Sequence, residues 1–263
     1  MSTYVISDIH GQYKSYQKML EKINFGKDDQ LYILGDVIDR GPDGLSVILD
    51  TMKRDNVELI LGNHEFMLLN ALKYLRERKE DEDKHMASDS LTPFELWTHP
   101  CNGGEGTCLE FLHFDKEKQD AIEKYLKSLA LIKRIKIGTK TYHLSHSFSI
   151  DKSFGKEVRL AKSPYKQTEK IVWESLFDKP KDSVSQTKLF AYARDIYVVG
   201  HIFTQRLNWM DEKGQGRIYK ENNYRGYKVI DIDCGMALNS RSSRLGCLCL
   251  DTEEEFYVSL LED

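Results

Sequence analysis

The first sixty residues alternate between short apolar runs and amphipathic segments, and this order restricts the fold more than any other feature of the chain. Runs at 4–6, 31–34 and 57–61 are apolar and rich in β-forming residues, as is typical of strands in a covered sheet. Between them, residues 14–23 and 45–52 carry apolar side chains at helical spacing. Strands and helices in this order predict parallel βαβ units, and therefore an α/β fold.

Residues that can bind metal ions follow each of the three predicted strands. Asp8 and His10 follow the first, Asp36 follows the second, and Asn63 and His64 follow the third. Because open α/β sheets bind ligands at the carboxyl ends of their strands, we expect the three loops to converge. Carboxylate, imidazole and amide ligands without thiolate suit Mn, Fe, Zn or Mg. A carboxylate shared by two ions can hold them about 3.5–4 Å apart, and Asp36 is the natural bridging ligand.

The three loops also resemble the signature of a known family. They read SDIHG at 7–11, GDVIDRG at 35–41 and GNHE at 62–65. The chain is similar to the phosphoprotein phosphatases of the calcineurin-like metallophosphoesterase superfamily, whose runs are GDxHG, GDxxDRG and GNHE, followed by two separated histidines. Ser7 replaces the first glycine, and the rest of the three runs matches. The resemblance covers nearly the whole chain and implies a two-sheet β-sandwich flanked by helices, with the layer order αββα.

The resemblance also implies a ligand set for two divalent metal ions. The matching residues are Asp8, His10, Asp36, Asn63, His146 and His201. Asp36 would bind both ions. Asp8 and His10 would bind the first ion, and the remaining residues would bind the second. We expect the ions to be Mn, with Fe, Zn and Mg as alternatives.

His146 and His201 need support beyond their own sequence, because a single histidine after an apolar run is usually a half-buried side chain. Both follow strand-like runs, at 142–144 and 196–199, so they are placed like the ligands of the first three loops. They would complete the second metal site.

Three residues match the catalytic positions of the family. Arg40 would bind the phosphate together with Asn63 and His64, because a guanidinium presents a rigid fork of donors to two oxygens. His64 would protonate the leaving oxygen, since imidazole titrates near neutral pH. Asp39 would orient the His64 ring.

One position departs from the protein phosphatases. Their second phosphate-binding arginine lies two residues after a tryptophan, and the matching Trp173 is followed at that distance by Ser175. Arg159 and Arg194 are the candidates to replace it. This departure weakens the assignment to protein phosphatases more than the assignment to metallophosphoesterases.

We therefore predict a metal-dependent hydrolase of phosphomonoesters that works by direct attack of a hydroxide bridging the two ions. A serine/threonine phosphoprotein is the first expected substrate, because the runs around Arg40 and His64 are complete. A symmetrical diadenosine tetraphosphate hydrolase, which shares the scaffold, is the alternative. A non-catalytic metal-binding module is disfavoured, since every metal position is filled.

The rest of the chain fits one domain over residues 1–263, with a helical cap insertion at about 74–131 that would shape substrate choice. Alternating runs at 227–232, 245–250 and 255–260 predict antiparallel strands that complete a second sheet.

Charge and composition limit the classes of binding partner and the cellular locations that we expect. A net charge of −4 argues against a broad basic face for nucleic acid or membrane. The chain enters a predicted strand within a few residues of Met1, so we expect no signal peptide and a cytoplasmic protein. Five cysteines without a C-x-x-C pair do not suggest a metal site or a thiol mechanism.

Overall fold

The computed structural model describes residues 1–77, 91–149, 156–178, 195–224 and 226–260. In these ranges the strands are β1 (Thr3–Ile6), β2 (Gln30–Ile33), β3 (Val57–Leu59), β4 (Ala130–Ile137), β5 (Lys140–Ser145), β6 (Val158–Arg159), β7 (Ile196–Val199), β8 (Tyr219–Tyr224), β9 (Tyr227–Asp231), β10 (Arg244–Cys249) and β11 (Glu255–Ser259). The helices are α1 (Tyr13–Lys22), α2 (Ser46–Thr51), α3 (Asn63–Glu77), α4 (Pro93–Thr98), α5 (Glu105–His113), α6 (Lys116–Ser128) and α7 (Tyr165–Trp173).

The strands form two mixed sheets. The first has the order β11-β10-β1-β2-β3 and the second the order β6-β4-β5-β7-β9-β8. β1, β2 and β3 run parallel to one another, as do β5, β7 and β9. The predicted βαβ units and the predicted two-sheet α/β architecture are therefore confirmed.

Apolar side chains divide the molecule into layers. Val5 from β1 and Leu34, directly after β2, share a buried cluster with Leu144 and Val198 from the second sheet, so this cluster lies between the sheets. Neighbours of Val5 in β1 point the other way, into the cluster with helices α1, α2 and α3. A third cluster covers the opposite face of the second sheet.

The prediction for the last strands was wrong in one respect. The run at 227–232 forms β9 of the second sheet, but β10 and β11 join the first sheet. β10 pairs antiparallel with β1, placing Leu248 opposite Val5. Both faces of β10 are apolar, because Leu245 packs among the helices and Leu248 packs between the sheets. A strand buried on both faces fits beside the buried β1 better than at an edge.

The segment predicted as a cap lies partly outside the described residues, which omit 78–90. Its described part contains the end of α3 and the helices α4, α5 and α6. Trp97, Phe111 and Leu126 from these helices belong to the same buried cluster as the outer face of the first sheet. Among the described residues, no helix is long and apolar enough to span a membrane.

Candidate metal centre

The loops after β1, β2 and β7 place six polar residues, four predicted metal ligands together with Asp39 and Arg40, in a backbone conformation that non-glycine residues rarely adopt. The φ angles are 52° at Asp8, 47° at His10, 52° at Asp36 and 74° at His201. Hydrogen bonds between the loops hold this conformation, including those from Asp8 N to Gly35 O (3.1 Å) and from His10 N to Asp36 O (2.9 Å). Such conformations persist only where the surroundings enforce them, and they concentrate at functional sites.

Asp36 lies at the centre of the converging side chains. Its Oδ2 is 3.4 Å from His146 Nε2, 3.8 Å from His64 Nε2 and 3.9 Å from His10 Nε2. His146 Nε2 also lies 2.8 Å from Asn63 Oδ1. The structure thus brings residues from the loops after β1 and β5 and from the start of α3 around one buried carboxylate.

Asp8 and His201 complete this group. Asp8 Oδ1 lies 4.0 Å from His10 Nε2, and its Oδ2 accepts hydrogen bonds from His201 N (3.1 Å) and from the Ser7 hydroxyl. The His201 and His146 rings meet edge to face with their centroids 5.0 Å apart. All six predicted metal ligands therefore lie in one site.

Hydrogen bonds to the backbone orient the histidines. Nδ1 of His10 contacts Ile38 O at 3.2 Å, and Nδ1 of His146 contacts Leu34 O at 2.7 Å. The His201 ring hydrogen-bonds the backbone of Trp173. With Nδ1 of His10 donating to a carbonyl, Nε2 of that neutral ring carries the lone pair that faces Asp36, and His146 would present the same lone pair once its Nε2 had lost a proton. This second set of contacts is what orients metal-binding imidazoles in proteins.

The donor set fits two cations that share Asp36. The ligand atoms of His10, Asp36 and His64 form one group, and those of Asp36, His146 and His201 form another, each with all its atoms within 4.8 Å. Oxygen and imidazole donors of this kind suit divalent metals.

Electrostatics keeps two of the three candidate histidine ligands neutral, as metal binding requires, and protonates the third. Burial and the neighbouring His146 lower the pKa of His201 to about 3, and burial and His64 hold the pKa of His10 well below its usual range, so both imidazoles are neutral. Burial opposes protonation of His146, but the Asp36 carboxylate outweighs it and raises the pKa of His146 to about 10. A metal ion would have to displace that proton.

A hydrogen-bonded relay lies beside the metal ligands. His64 Nδ1 is 2.7 Å from Asp39 Oδ2, and His64 Nε2 is 3.5 Å from an Arg40 Nη. Burial lowers the pKa of His64, but the carboxylates of Asp36 and Asp39 raise it more, so the net shift is upward. The Arg40 guanidinium can only donate, so Nε2 accepts from it at this distance, and a proton on Nε2 would replace that contact.

Glu65 has a part in the site that the sequence reasoning missed. Its carboxylate is fully buried. Oε2 accepts from the backbone N–H groups of Asp36 and Gly62, each at 2.9 Å, and Oε1 accepts from Val37 N at 2.8 Å. Glu65 thus ties the loop after β2 to the start of α3. Its place in the GNHE run was a signal, but no role was assigned to it.

Trp97 was also missed as a contributor to the site. Its indole N–H donates to Asp39 Oδ2 at 3.0 Å and to Oδ1 at 3.3 Å. Thr107 Oγ1 accepts from Asp39 N at 3.1 Å, and Gly103 O accepts from Arg40 N at 3.2 Å. Residues 97–107, which were expected to shape substrate choice, therefore form hydrogen bonds with Asp39 and with the backbone of Arg40.

The position of the expected second arginine carries no phosphate-binding group. Ser175 is buried, and its hydroxyl accepts from Phe177 N at 3.3 Å. Arg159 is exposed and contacts Ser128 O at 3.4 Å. Arg194 lies outside the described residues.

Two sheets of this topology, with a cluster of carboxylate, imidazole and amide ligands at their strand ends, define a metal-dependent α/β hydrolase. The family model described as calcineurin-like phosphoesterase matches residues 1–223, so the chain belongs to that family. The family is binuclear and metal-dependent, and its members hydrolyse phosphoesters. The predicted enzyme class is confirmed at this level.

Individual relatives show how far the similarity extends. The chain is 36% identical over 124 residues to the symmetrical bis(5'-nucleosyl)-tetraphosphatase of Buchnera aphidicola subsp. Acyrthosiphon pisum (strain Tuc7), a match that covers 45% of this chain and 42% of that protein.

Solved structures share the fold over nearly the whole chain. A putative diadenosine tetraphosphatase matches with a TM-score of 0.58 and 17% identity, covering 98% of this chain and 92% of that one. A serine/threonine phosphatase from Saccharomyces cerevisiae matches with a TM-score of 0.54 and 14% identity. The match covers 100% of this chain and 81% of that one. At these identities the structures support the fold alone.

Proposed function

We propose that this chain is a two-metal hydrolase of dinucleoside polyphosphates, with a symmetrical dinucleoside tetraphosphate as its substrate. The observation that carries the proposal is the sequence similarity to a symmetrical bis(5'-nucleosyl)-tetraphosphatase, 36% over 124 residues. Ser175 supports it, because the second phosphate-binding arginine of the protein phosphatases is not at that position. The comparisons thus favour the alternative prediction over a phosphoprotein substrate.

Six residues would hold the metal ions in this proposal. Asp8, His10 and Asp36 would bind one ion, and Asp36, Asn63, His146 and His201 would bind the other. When bound, the pair supplies an acidified water as nucleophile and positive charge for the phosphoryl oxygens. Manganese is the metal to test first.

The protein's own groups would then act on the two sides of the bond that breaks. Arg40 would hold non-bridging oxygens of the phosphoryl group under attack, since its guanidinium lies beside His64 and is free of an acidic partner in the described contacts. His64 would give the proton on Nε2 to the oxygen that leaves with the second nucleotide. Asp39, at 2.7 Å from Nδ1, would hold the ring in the orientation and tautomer that this transfer requires.

The test compares three substrates with Mn²⁺ present: diadenosine tetraphosphate, p-nitrophenyl phosphate and bis(p-nitrophenyl) phosphate. We expect the wild type to cleave diadenosine tetraphosphate into two molecules of ADP, which chromatography separates from AMP and ATP. The variant His64→Ala should lose nearly all of this turnover. The exposed His113, on α5, provides a matched control as His113→Ala.

Two results would contradict the proposal. Hydrolysis of p-nitrophenyl phosphate and phosphopeptides without cleavage of the dinucleotide would restore the protein phosphatase prediction. Full activity in His64→Ala would show that His64 does not protonate the leaving oxygen.

A further inference from the structure

A cleft of about 180 Å³ opens between helices α3, α4 and α7. Three aromatic side chains line it, namely Phe66 from α3 and Tyr165 and Trp173 from α7. The rings of Phe66 and Tyr165 lie 5.3 Å apart at a tilt of 41°. Asn70 and Glu169 add polar groups to the wall.

The cleft adjoins the metal centre on two sides. The Trp173 ring meets the ring of His201 edge to face, with centroids 6.1 Å apart. On α3, Met67 and Asn70 follow Asn63 at i+4 and i+7, so they lie on the same helix face as this candidate ligand. At 1.5 Å of rise per residue, Asn70 lies about 10 Å along the helix axis from Asn63. The α3 wall of the cleft, from Phe66 to Asn70, therefore begins about one helical turn beyond Asn63.

We propose that this cleft binds one nucleobase of the dinucleoside polyphosphate whose phosphates occupy the metal centre. The inference rests on the proposed function and specifies where that substrate's recognition lies. Bases stack on aromatic rings with little dependence on sequence. Asn70 can donate and accept hydrogen bonds at a base edge, and Glu169 can accept from an exocyclic amino group.

The volume of the cleft suits one nucleobase better than a whole nucleotide. Sites for whole drug-sized ligands span about 300–1,000 Å³, more than this cleft offers. A bound peptide would instead run along a strand edge or lay a helix into a long apolar groove. The described walls of the cleft come from helices and the turn before α4, and they present two polar groups among aromatic rings and the aliphatic side chains of Met67, Leu91, Pro93 and Leu96. A planar heterocycle with polar edges matches those walls better than a peptide does.

Tyr165 is the best residue for a test, because it is 56% exposed and its loss leaves the core intact. The variant Tyr165→Ala should raise the KM for diadenosine tetraphosphate about tenfold, the loss expected when one base loses a stacking partner. The KM for p-nitrophenyl phosphate, which has no base, should stay within about twofold of the wild-type value. Tyr165→Phe keeps the ring and should behave like the wild type. Leu112→Ala removes a comparably exposed apolar side chain from α5 and serves as the second control.

Unchanged KM values for both substrates in Tyr165→Ala, or equal increases for both, would overturn the proposal. The nucleobase site can also be tested if the wild type does not cleave the dinucleotide, a result that would count against the proposed function itself. In that case AMP and ribose 5-phosphate are compared as inhibitors of p-nitrophenyl phosphate hydrolysis. The nucleobase site predicts that AMP inhibits at about tenfold lower concentration, and that Tyr165→Ala removes the difference. Equal inhibition of the wild type by the two compounds would reject the site.

Discussion

The indole N–H of Trp97 donates to the carboxylate of Asp39, at 3.0 Å to Oδ2 and 3.3 Å to Oδ1. The same Oδ2 contacts His64 Nδ1 at 2.7 Å. Both Trp97 and Asp39 are buried, so these hydrogen bonds lie where the effective dielectric is low and the carboxylate has few other ways to be satisfied. Helix α4 is thereby linked to the residue proposed to protonate the leaving group.

This link predicts a catalytic effect for a residue that touches no substrate. Trp97→Phe keeps most of the apolar packing and removes the indole donor together with part of a buried ring. We expect kcat to fall about tenfold, the smaller end of the effect of losing an outer hydrogen bond that orients a functional histidine, while KM changes less than twofold. Steady-state kinetics with p-nitrophenyl phosphate and Mn²⁺ measure both constants.

Trp209 offers the matched control for that experiment. Its indole donates to Ile218 O at 3.0 Å, away from the relay, so Trp209→Phe should leave kcat unchanged. If both variants lose activity equally, or if Trp97→Phe raises KM with kcat intact, Trp97 does not act through Asp39.

Asp36 should be needed for metal binding as well as for turnover. Its Oδ2 lies within 3.4–3.9 Å of three imidazole nitrogens, and no other side chain in the described site is shared by both candidate ligand groups. Asp36→Asn replaces a charged oxygen with an amide. We expect the purified variant to retain fewer than two Mn²⁺ per chain and to lose nearly all activity. Elemental analysis after dialysis measures the metal, with Asp28→Asn, at an exposed position, as the control. Two bound ions in Asp36→Asn would refute the bridging role.

Glu65→Gln should destabilise the fold. The two carboxylate oxygens accept from four backbone N–H groups in two loops, and an amide would turn its own donors toward some of them. Hydrogen bonds to a charged group contribute about 1.5–3 kcal/mol each, so we expect a loss of about 3 kcal/mol in the free energy of unfolding. Urea unfolding monitored by circular dichroism tests this, and a loss below 0.5 kcal/mol, the ordinary size of a surface substitution, would contradict it.

The local parts of this structure were open to prediction from the sequence, and the non-local parts were not. Apolar periodicity gave β1, β2 and β3, because a strand's pattern lies within its own residues. The sheet that β10 joins depends on its pairing with β1 from the other end of the chain, which no local pattern carries. Trp97 stands out as a tryptophan in the sequence, but its contact with Asp39 joins residues 58 positions apart.

The candidate site follows the same division. The strand-end loops and the resemblance predicted which residues would approach Asp36, since parallel strands bring their carboxyl ends to one edge of the sheet. The resemblance gave no role to Glu65, and the side chain's function became visible only when the backbone donors of the neighbouring loop were located. A recognisable run can therefore contain a supporting residue such as Glu65, but the role of that residue depends on tertiary contacts that the run does not encode.

A last prediction concerns stability away from the site, where Glu123 on α6 joins α3. Arg76 donates to both oxygens of Glu123, at 2.6 and 2.5 Å, and Lys127 lies 2.5 Å from Oε1. The hydrogen bonds from Arg76, and then those from Lys127, outweigh burial and lower the pKa of Glu123 to about 2, from 4.5. Because the folded state depresses this pKa, the stabilisation is present above the unfolded value and is lost as pH falls from about 4.5 toward 2.

Glu123→Gln should therefore lower the free energy of unfolding by about 1 kcal/mol at pH 7, a modest value because both cationic partners are half exposed. The difference in the free energy of unfolding between wild type and variant should decrease as urea unfolding is repeated at lower pH values, starting below about pH 4.5. The exposed Glu21 on α1 supplies the control, since Glu21→Gln should show no such narrowing. A gap that stays constant with pH would mean that Glu123 stabilises the protein by packing between α3 and α6 rather than by its charge.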